Sequence, residues 1–291
     1  VGDTKIPYLT KRWEPVVGCT GEGCACRDTC WARELHNRRH LAYWRDKQVP
    51  EQYSRTFEDV QCMPERLDEP LHRRKPTVYG VCFGSDLFGA DVPDRFIDRV
   101  FASMALCPQH QFVVLTKQAE RMATYGLGRP WLMRNLHFGV SVCNQPDADA
   151  RLPWLARLAA VGWNTWISME PQHQFVDVSS WIGDAGFGRG IAGVVQGVES
   201  GPKRRLAKCQ TCYGNPWVDL GRNETVEFGP CPACAGTGYA AWEWARQTRD
   251  ACEEAGAKFA LKQLPDLNGK VLHMPALDRV THWELPWGVT P

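Results

Sequence analysis

Four cysteines fall within twelve residues in the run Cys19-Thr-Gly-Glu-Gly-Cys24-Ala-Cys26-Arg-Asp-Thr-Cys30. Thiols this close can pair as disulfides, hold a zinc ion, or hold an iron–sulfur cluster. A cluster needs thiolates presented from a loop whose backbone can wrap an inorganic cage, and Gly21 and Gly23 suit that. A structural zinc site more often shows paired Cys-x-x-Cys knuckles, which this run lacks. Two such knuckles occur farther on, Cys209-Gln-Thr-Cys212 and Cys231-Pro-Ala-Cys234, separated by 18 residues. Each presents two sulfurs at tetrahedral geometry with glycine following to release the turn, so residues 203–240 read as a small zinc-binding insertion.

Composition bounds what these groups can be. With 291 residues and a 44% hydrophobic content the chain can bury a substantial core. The N-terminal residues lack a signal pattern and no run approaches a membrane span, which leads to the expectation of a cytoplasmic protein with no membrane partner. Thiols stay reduced there, so grouped cysteines read as ligands. The scattered Cys62, Cys82, Cys107, Cys143 and Cys252 read as small core residues. A formal charge of +1 gives no global pull toward nucleic acid, so any such contact must come from local patches. The candidates are His36-Asn-Arg38-Arg39-His40, His72-Arg-Arg-Lys75 and Lys203-Arg-Arg-Leu-Ala-Lys208. Each has an ordinary alternative as a solvated face or a helix-end complement.

The elements that position these groups alternate. Trp13 to Val17 reads as a strand leading into the first cysteine run. Trp31 to Lys47 reads as a helix, with Leu35, Leu41, Ala42 and Trp44 as its buried stripe. A short helical stretch follows from Pro64. Strands are expected at 77–83, 111–115, 136–142, 163–168, 190–196 and 258–261. Helices are expected from a cap at Asp91 or Asp94 to Leu106, over 120–125, 147–160 and 242–255. Phe96, Ile97, Val100, Phe101 and Met104 form one apolar face of the first of these. Polar residues repeatedly follow the strands: Ser85, Asp86, Lys117, Asn144, Glu170, Glu199 and Lys262. That repetition favours an α/β fold of six or seven β/α units, a partial TIM-like barrel formed by residues 1–202 and 241–291, with these residues on its functional rim.

Several short blocks carry a resemblance. They are Trp13-Glu-Pro-Val-Val-Gly-Cys19, Cys30-Trp-Ala-Arg-Glu34, Ser85-Asp-Leu-Phe88, Val114-Leu-Thr-Lys117, Gly139-Val-Ser-Val142, Glu170-Pro171, Glu199-Ser-Gly-Pro202 and Lys262-Gln263. In that order they resemble the phage and prophage three-cysteine-motif family, which in turn resembles radical S-adenosylmethionine (SAM) enzymes. The Cys-x-x-Cys-x-Gly-x-Gly form of the second knuckle resembles the zinc repeat of DnaJ-type chaperones, over that segment only. The first knuckle departs from it at Pro216.

The resemblance implies a radical SAM-type partial barrel in which Cys19, Cys26 and Cys30 hold a [4Fe–4S] cluster, with Cys24 as a competing ligand. It implies S-adenosylmethionine as cofactor, a reducing partner such as flavodoxin or ferredoxin, and the host cytoplasm as location. Cofactor binding would fall to Ser85, Asp86, Ser141, Glu199, Ser200 and Lys262. Catalytic roles would fall to Lys117, Glu170 and Cys143, the last returning a hydrogen atom. The run from Gly193 to Glu199 loosely resembles the motif that lies under the adenine. The expected function is rearrangement or functionalisation of a modified nucleobase in phage DNA, for instance by an isomerase acting on a hypermodified thymine. The alternatives are a non-catalytic, zinc-stabilised nucleic-acid-binding protein, or radical chemistry on a small molecule or a protein.

Overall fold

The structure, a computed structural model, describes residues 4–21, 30–45, 48–183, 189–200, 204–215, 217–220 and 228–288. Seven strands form one sheet: β1 (Lys11–Trp13), β2 (Val78–Val81), β3 (Gln111–Thr116), β4 (Leu136–Ser141), β5 (Asn164–Met169), β6 (Gly193–Gln196) and β7 (Lys258–Leu261). Neighbours follow chain order, and the registered pairs β1–β2, β2–β3, β3–β4, β5–β6 and β6–β7 are parallel. The order never reverses, so this sheet has no switch point of the doubly wound kind. It does not close, because β1 and β7 are its edges. The class is mixed α/β with a large parallel sheet.

Helices α1 (Trp31–Tyr43), α2 (Asp94–Ala105), α3 (Ala119–Leu127), α4 (Gln145–Ala160) and α5 (Ala241–Ala255) lie between strands in the chain. The inner strands β2, β4 and β6 are buried along their whole length, as parallel strands covered on both faces must be, while the edge strand β1 starts on the partly exposed Lys11 and Arg12.

By backbone contacts the chain divides into two compact units, 1–140 with 161–164, and 141–160 with 165–290. The core of the first is aromatic. Tyr79 stacks on Phe112 at 5.5 Å, and Trp13 tilts against Phe112 at 5.8 Å while its indole N–H donates to the carbonyl of Arg66 at 2.7 Å. Phe96, Ile97, Val100, Phe101 and Met104 of α2 are all buried there, as the helical spacing requires. Each such side chain contributes about 2 kcal/mol of burial. In the second unit Trp166 and Trp287 meet edge to face at 5.2 Å, and Trp242 of α5 donates to the carbonyl of Pro265 at 2.8 Å.

Several local expectations are corrected. The run from Trp13 to Val17 is not one strand. Pro15 interrupts it, and Val16–Val17 pairs antiparallel with Gln61–Cys62 instead of joining the large sheet. From Pro64 only a three-residue 3-10 turn, Pro64–Arg66, forms. Neither Asp91 nor Asp94 caps α2. Pro93 holds the cap position, and Asp94 sits in the first turn, where its charge suits the dipole. The expected stripe of α1 is overturned: Leu41 and Trp44 are exposed and His36 alone is fully buried. His36 Nε2 bonds the carbonyl of Arg55 at 2.9 Å, and its ring packs on Tyr53 and Phe57, so an imidazole supplies the contact an aliphatic residue was expected to make. Of the scattered cysteines Cys82, Cys107, Cys143 and Cys252 are buried, while Cys62 is only partly so.

Candidate functional site

The first cysteine run begins just after the short strand Val16–Val17 that follows β1. Gly18 enters it with φ +90°, and a Cβ there would lie 2.5 Å from the carbonyl oxygen of Phe57, so only glycine fits. The next amide, of Cys19, donates to that same carbonyl at 2.8 Å, which pins the start of the loop. The N–H of Gly21 points at Cys19 Sγ at 3.3 Å. Cys30 stands at the N-cap of α1, where unpaired helix N–H groups favour negative charge. Two partly buried sulfurs, one served by an amide and one at a helix start, fit an anionic iron–sulfur cluster. Cys24 and Cys26, the competing middle ligands, lie outside the described residues.

Beside this loop the end of β2 turns sharply. Cys82 is left-handed at φ 55°, unusual for a residue with a side chain, and its thiol is pushed well up by burial and by the neighbouring Glu14 carboxylate. The next residues are held from two sides. Both carboxylate oxygens of Glu14 accept the N–H of Gly84 at 3.1 Å, and Ser85 Oγ donates to the carbonyl of Val16 at 2.8 Å. Asp86 accepts from Thr116 Oγ1 at 2.6 Å and from the backbone N–H of Lys117 at 3.1 Å, joining the ends of β2 and β3. Burial raises the Glu14 carboxyl to about 7, outweighing the opposing pull of Arg12 at 3.8 Å and of the Gly84 N–H. Ser85, Asp86 and Lys117 are thus brought together with one another and with Glu14. The sequence had given no role to Glu14, although it lies in the Trp-Glu-Pro block.

In the second unit the residues after β5, β6 and β7 form another polar group. Glu170 and Lys262 make a close ion pair, with side chains only 19% and 10% exposed. Gln196, at the end of β6, donates to Gln172 Oε1, and both amides are buried. Glu199 is gripped by Arg205 through its backbone N–H at 2.7 Å and its guanidinium at 3.1 and 3.2 Å. That guanidinium also lies 3.3 Å from His173, whose imidazole is held below its ordinary range by burial and then by the Arg205 charge. Ser200 is exposed. Ser141 is buried and its carbonyl accepts from Arg151 at 2.6 Å. The thiol of Cys143 is buried, and its backbone N–H donates to Asp147. Asn144 caps α4 by accepting the N–H of Asp147 at 2.8 Å.

The second cysteine group closes into a cage. Sγ atoms of Cys209, Cys212, Cys231 and Cys234 all lie within 4.8 Å of one another and all four residues are buried. The Cys212–Cys234 sulfur separation of 3.7 Å is far longer than a disulfide and close to the ~3.8 Å edge of a tetrahedron with metal–sulfur bonds of ~2.3 Å. Tyr213 and Ala235, each directly after the second cysteine of its knuckle, are both left-handed and both precede a glycine. The two knuckles therefore repeat one backbone form. Without a cation burial pushes Cys212 up to about 12 and raises Cys231, whereas at Cys234 burial is outweighed by the Gly238 N–H and the neighbouring thiols, so its thiol falls. A metal ion removes that conflict. The basic run preceding the cage, taken from sequence as a nucleic-acid grip, is otherwise engaged. Arg204 bonds the carbonyl of Gly269, Arg205 bonds Glu199, and Lys208 lies 4.5 Å over the Tyr239 ring. Lys203 lies outside the described residues.

Consecutive parallel strands, with Cys19 in the segment that follows the first and polar side chains after the others, define a β/α protein. The chain belongs to the family described as protein of unknown function (DUF5131), whose model matches residues 3–223. A solved structure of a spore photoproduct lyase cysteine-to-alanine mutant with dinucleoside spore photoproduct is similar, at 13% identity over 89% of this chain and 77% of that one, with a TM-score of 0.50. Spore photoproduct lyase complexed with dinucleoside spore photoproduct aligns at 12% identity, over 89% and 78%, with a TM-score of 0.49. A doubly substituted spore photoproduct lyase with bound AdoMet and the same dinucleoside aligns at 12% identity, over 89% and 77%, at 0.46. The likeness is one of fold. No curated protein matches the chain. No helix among the described residues is long and apolar enough to cross a membrane.

Proposed function

We propose that this chain is a radical SAM enzyme of partial-barrel type acting on a nucleobase, in DNA or as a nucleotide, to rearrange or functionalise it. The observation that carries the reading is that Cys19 follows closely on the short strand Val16–Val17 and Cys30 stands at the N-cap of α1, with Gly18 and the Phe57 carbonyl fixing where the loop begins. Cys19, Cys26 and Cys30 would hold a [4Fe–4S] cluster and leave one iron open. With S-adenosylmethionine bound, that pair of cofactors supplies one-electron chemistry able to take hydrogen from an unactivated carbon.

The chain's own residues do the positioning. Glu14 and Asp86 hold the β2 turn, and the Asp86 carboxylate gives it negative character suited to an ammonium or ribose hydroxyls, while Ser85 keeps acceptor capacity after donating to Val16. Lys117 offers a cation to a carboxylate or phosphate. Ser141, Glu199, Ser200 and Lys262 as cofactor contacts, and Cys143 and Glu170 as catalytic groups, follow from the resemblance and are tested singly. The dinucleoside held by a protein of similar fold makes a nucleotide the first substrate to try. The second cysteine group is read as a structural zinc site.

Anaerobic reconstitution tests this. The expected result is about four irons per chain, release of 5′-deoxyadenosine from S-adenosylmethionine under reduction, and loss of both in Cys19→Ala and Cys30→Ala. Transfer of deuterium from labelled nucleosides or oligonucleotides into deoxyadenosine then identifies the substrate. A protein that carries zinc at both cysteine groups and no iron would overturn the reading. The four-thiol cage favours that second possibility, a metal-stabilised nucleic-acid-binding protein without catalysis.

A further inference from the structure

The outward arc of α1 is unlike any surface that packing accounts for. Trp31, Leu41 and Trp44 are 50%, 56% and 66% exposed, although they are the helix's and its C-terminal cap's largest apolar side chains. Arg38 and Arg45 are exposed among them. At about 100° per residue, Trp31, Arg38 and Arg45 fall within about 40° of one another along the helix, with Leu41 about 40° farther round from Arg45 and Trp44 about 100° farther round, at the C-terminal end. Among the described residues of α1 only Glu34 brings negative charge to this arc. The helix's other arginines are already engaged: Arg33 pairs with Glu58 at 3.2 Å and Arg39 donates to the Tyr53 hydroxyl at 2.7 Å. Arg38 and Arg45 have no ion-pair partner among the described residues.

We infer that this arc is a binding surface for a single strand of nucleic acid, so that the substrate is a polymer and not a free nucleotide. An exposed apolar patch marks an interaction surface. Two guanidiniums without an ion-pair partner among the described residues, on the same exposed arc as two indoles, select a partner that is both anionic and stackable, which a protein surface rarely is and a nucleic-acid strand always is. From Trp31 to Trp44 the strip spans about 20 Å, room for a few nucleotides. Its N-terminal end is Cys30, so a strand lying along it leads to the cysteine loop. The guanidinium of Arg12, 5.7 Å over the Trp31 ring, stiffens that end.

The inference rests on the nucleobase reading above but is tested without turnover. Fluorescence anisotropy of a labelled single-stranded oligodeoxynucleotide is measured with the full chain across salt concentrations, beside Arg38→Ala/Arg45→Ala and Trp44→Ala. The double variant is expected to weaken binding at least tenfold and to reduce the salt slope by about 1.4, two phosphates at ~0.7 each. Trp44→Ala is expected to weaken it about tenfold with the slope unchanged. Circular dichroism confirms that the variants fold. Equal affinity and slope in wild type and variants, or no oligonucleotide binding, overturns the inference. So does concentration-dependent dimerisation abolished by Trp44→Ala, which makes the face a self-association surface. Deoxyadenosine release with a free nucleotide and no oligonucleotide binding sinks this inference and leaves the enzyme reading standing. Oligonucleotide binding that the variants lose, in a protein that never cleaves S-adenosylmethionine, does the reverse.

Discussion

The carboxylate of Glu14 receives the backbone N–H of Gly84 on both oxygens at 3.1 Å, across 70 residues of chain. This contact fixes the turn after β2 against the end of β1, and it gives the protein a titratable joint. A carboxyl raised from 4.5 to about 7 binds its proton more tightly in the native state than in the unfolded one. Its contribution to stability is therefore complete below pH ~4.5 and is lost as pH rises toward ~7. Urea unfolding between those limits should show that decline in wild type and a flatter profile in Glu14→Gln. Parallel profiles would remove Glu14 from the account.

Asp86→Ala leaves the Lys117 N–H and the Thr116 hydroxyl without their acceptor, at a cost of about 1–3 kcal/mol in urea unfolding. Thr116→Val removes one donor and should cost less. If Asp86 also contacts the cofactor, Asp86→Asn loses S-adenosylmethionine affinity by more than its small stability loss explains, in equilibrium dialysis of the reconstituted protein.

The Glu170–Lys262 pair is nearly buried, so breaking it from one side strands a charge. Lys262→Met or Glu170→Gln alone is expected to destabilise by about 3 kcal/mol, and the double variant by clearly less. Additive losses in that double-mutant cycle would show that the two side chains act independently.

Removing metal from the second cysteine group should be a local event. A strong chelator, or Cys234→Ser, is expected to abolish amide-exchange protection over residues 204–240 and spare β2 to β4. Metal analysis of the same samples should lose about one zinc per chain.

The sequence was a good guide wherever a pattern is local. Apolar runs ending in a polar residue located six of the seven sheet strands, and the spacing of Phe96 to Met104 gave the buried face of α2. It failed where a partner distant in the chain decides. α1 has an amphipathic look, yet it packs against the turn Glu51–Ser54, where Arg39 and His40 bond Tyr53 and only His36 is fully buried. The basic run before the cage reads as a surface grip until Glu199 and Gly269 are seen to occupy it. Glu14 looked inert because its partner, Gly84, could not be paired with it from spacing. The paired knuckles were legible because Cys-x-x-Cys carries its geometry within four residues.

The backbone enters the four-cysteine module and leaves it at one place. Lys208 bridges Tyr239, and the N–H of Ala240 donates to the carbonyl of Ala207 at 3.0 Å. Because these two chain ends already touch, a two-residue turn could join them with the residues between removed. The module is thus a cassette on a closed neck, and excising it would cost α5 the bond from Arg246 to the Ala233 carbonyl at 2.8 Å.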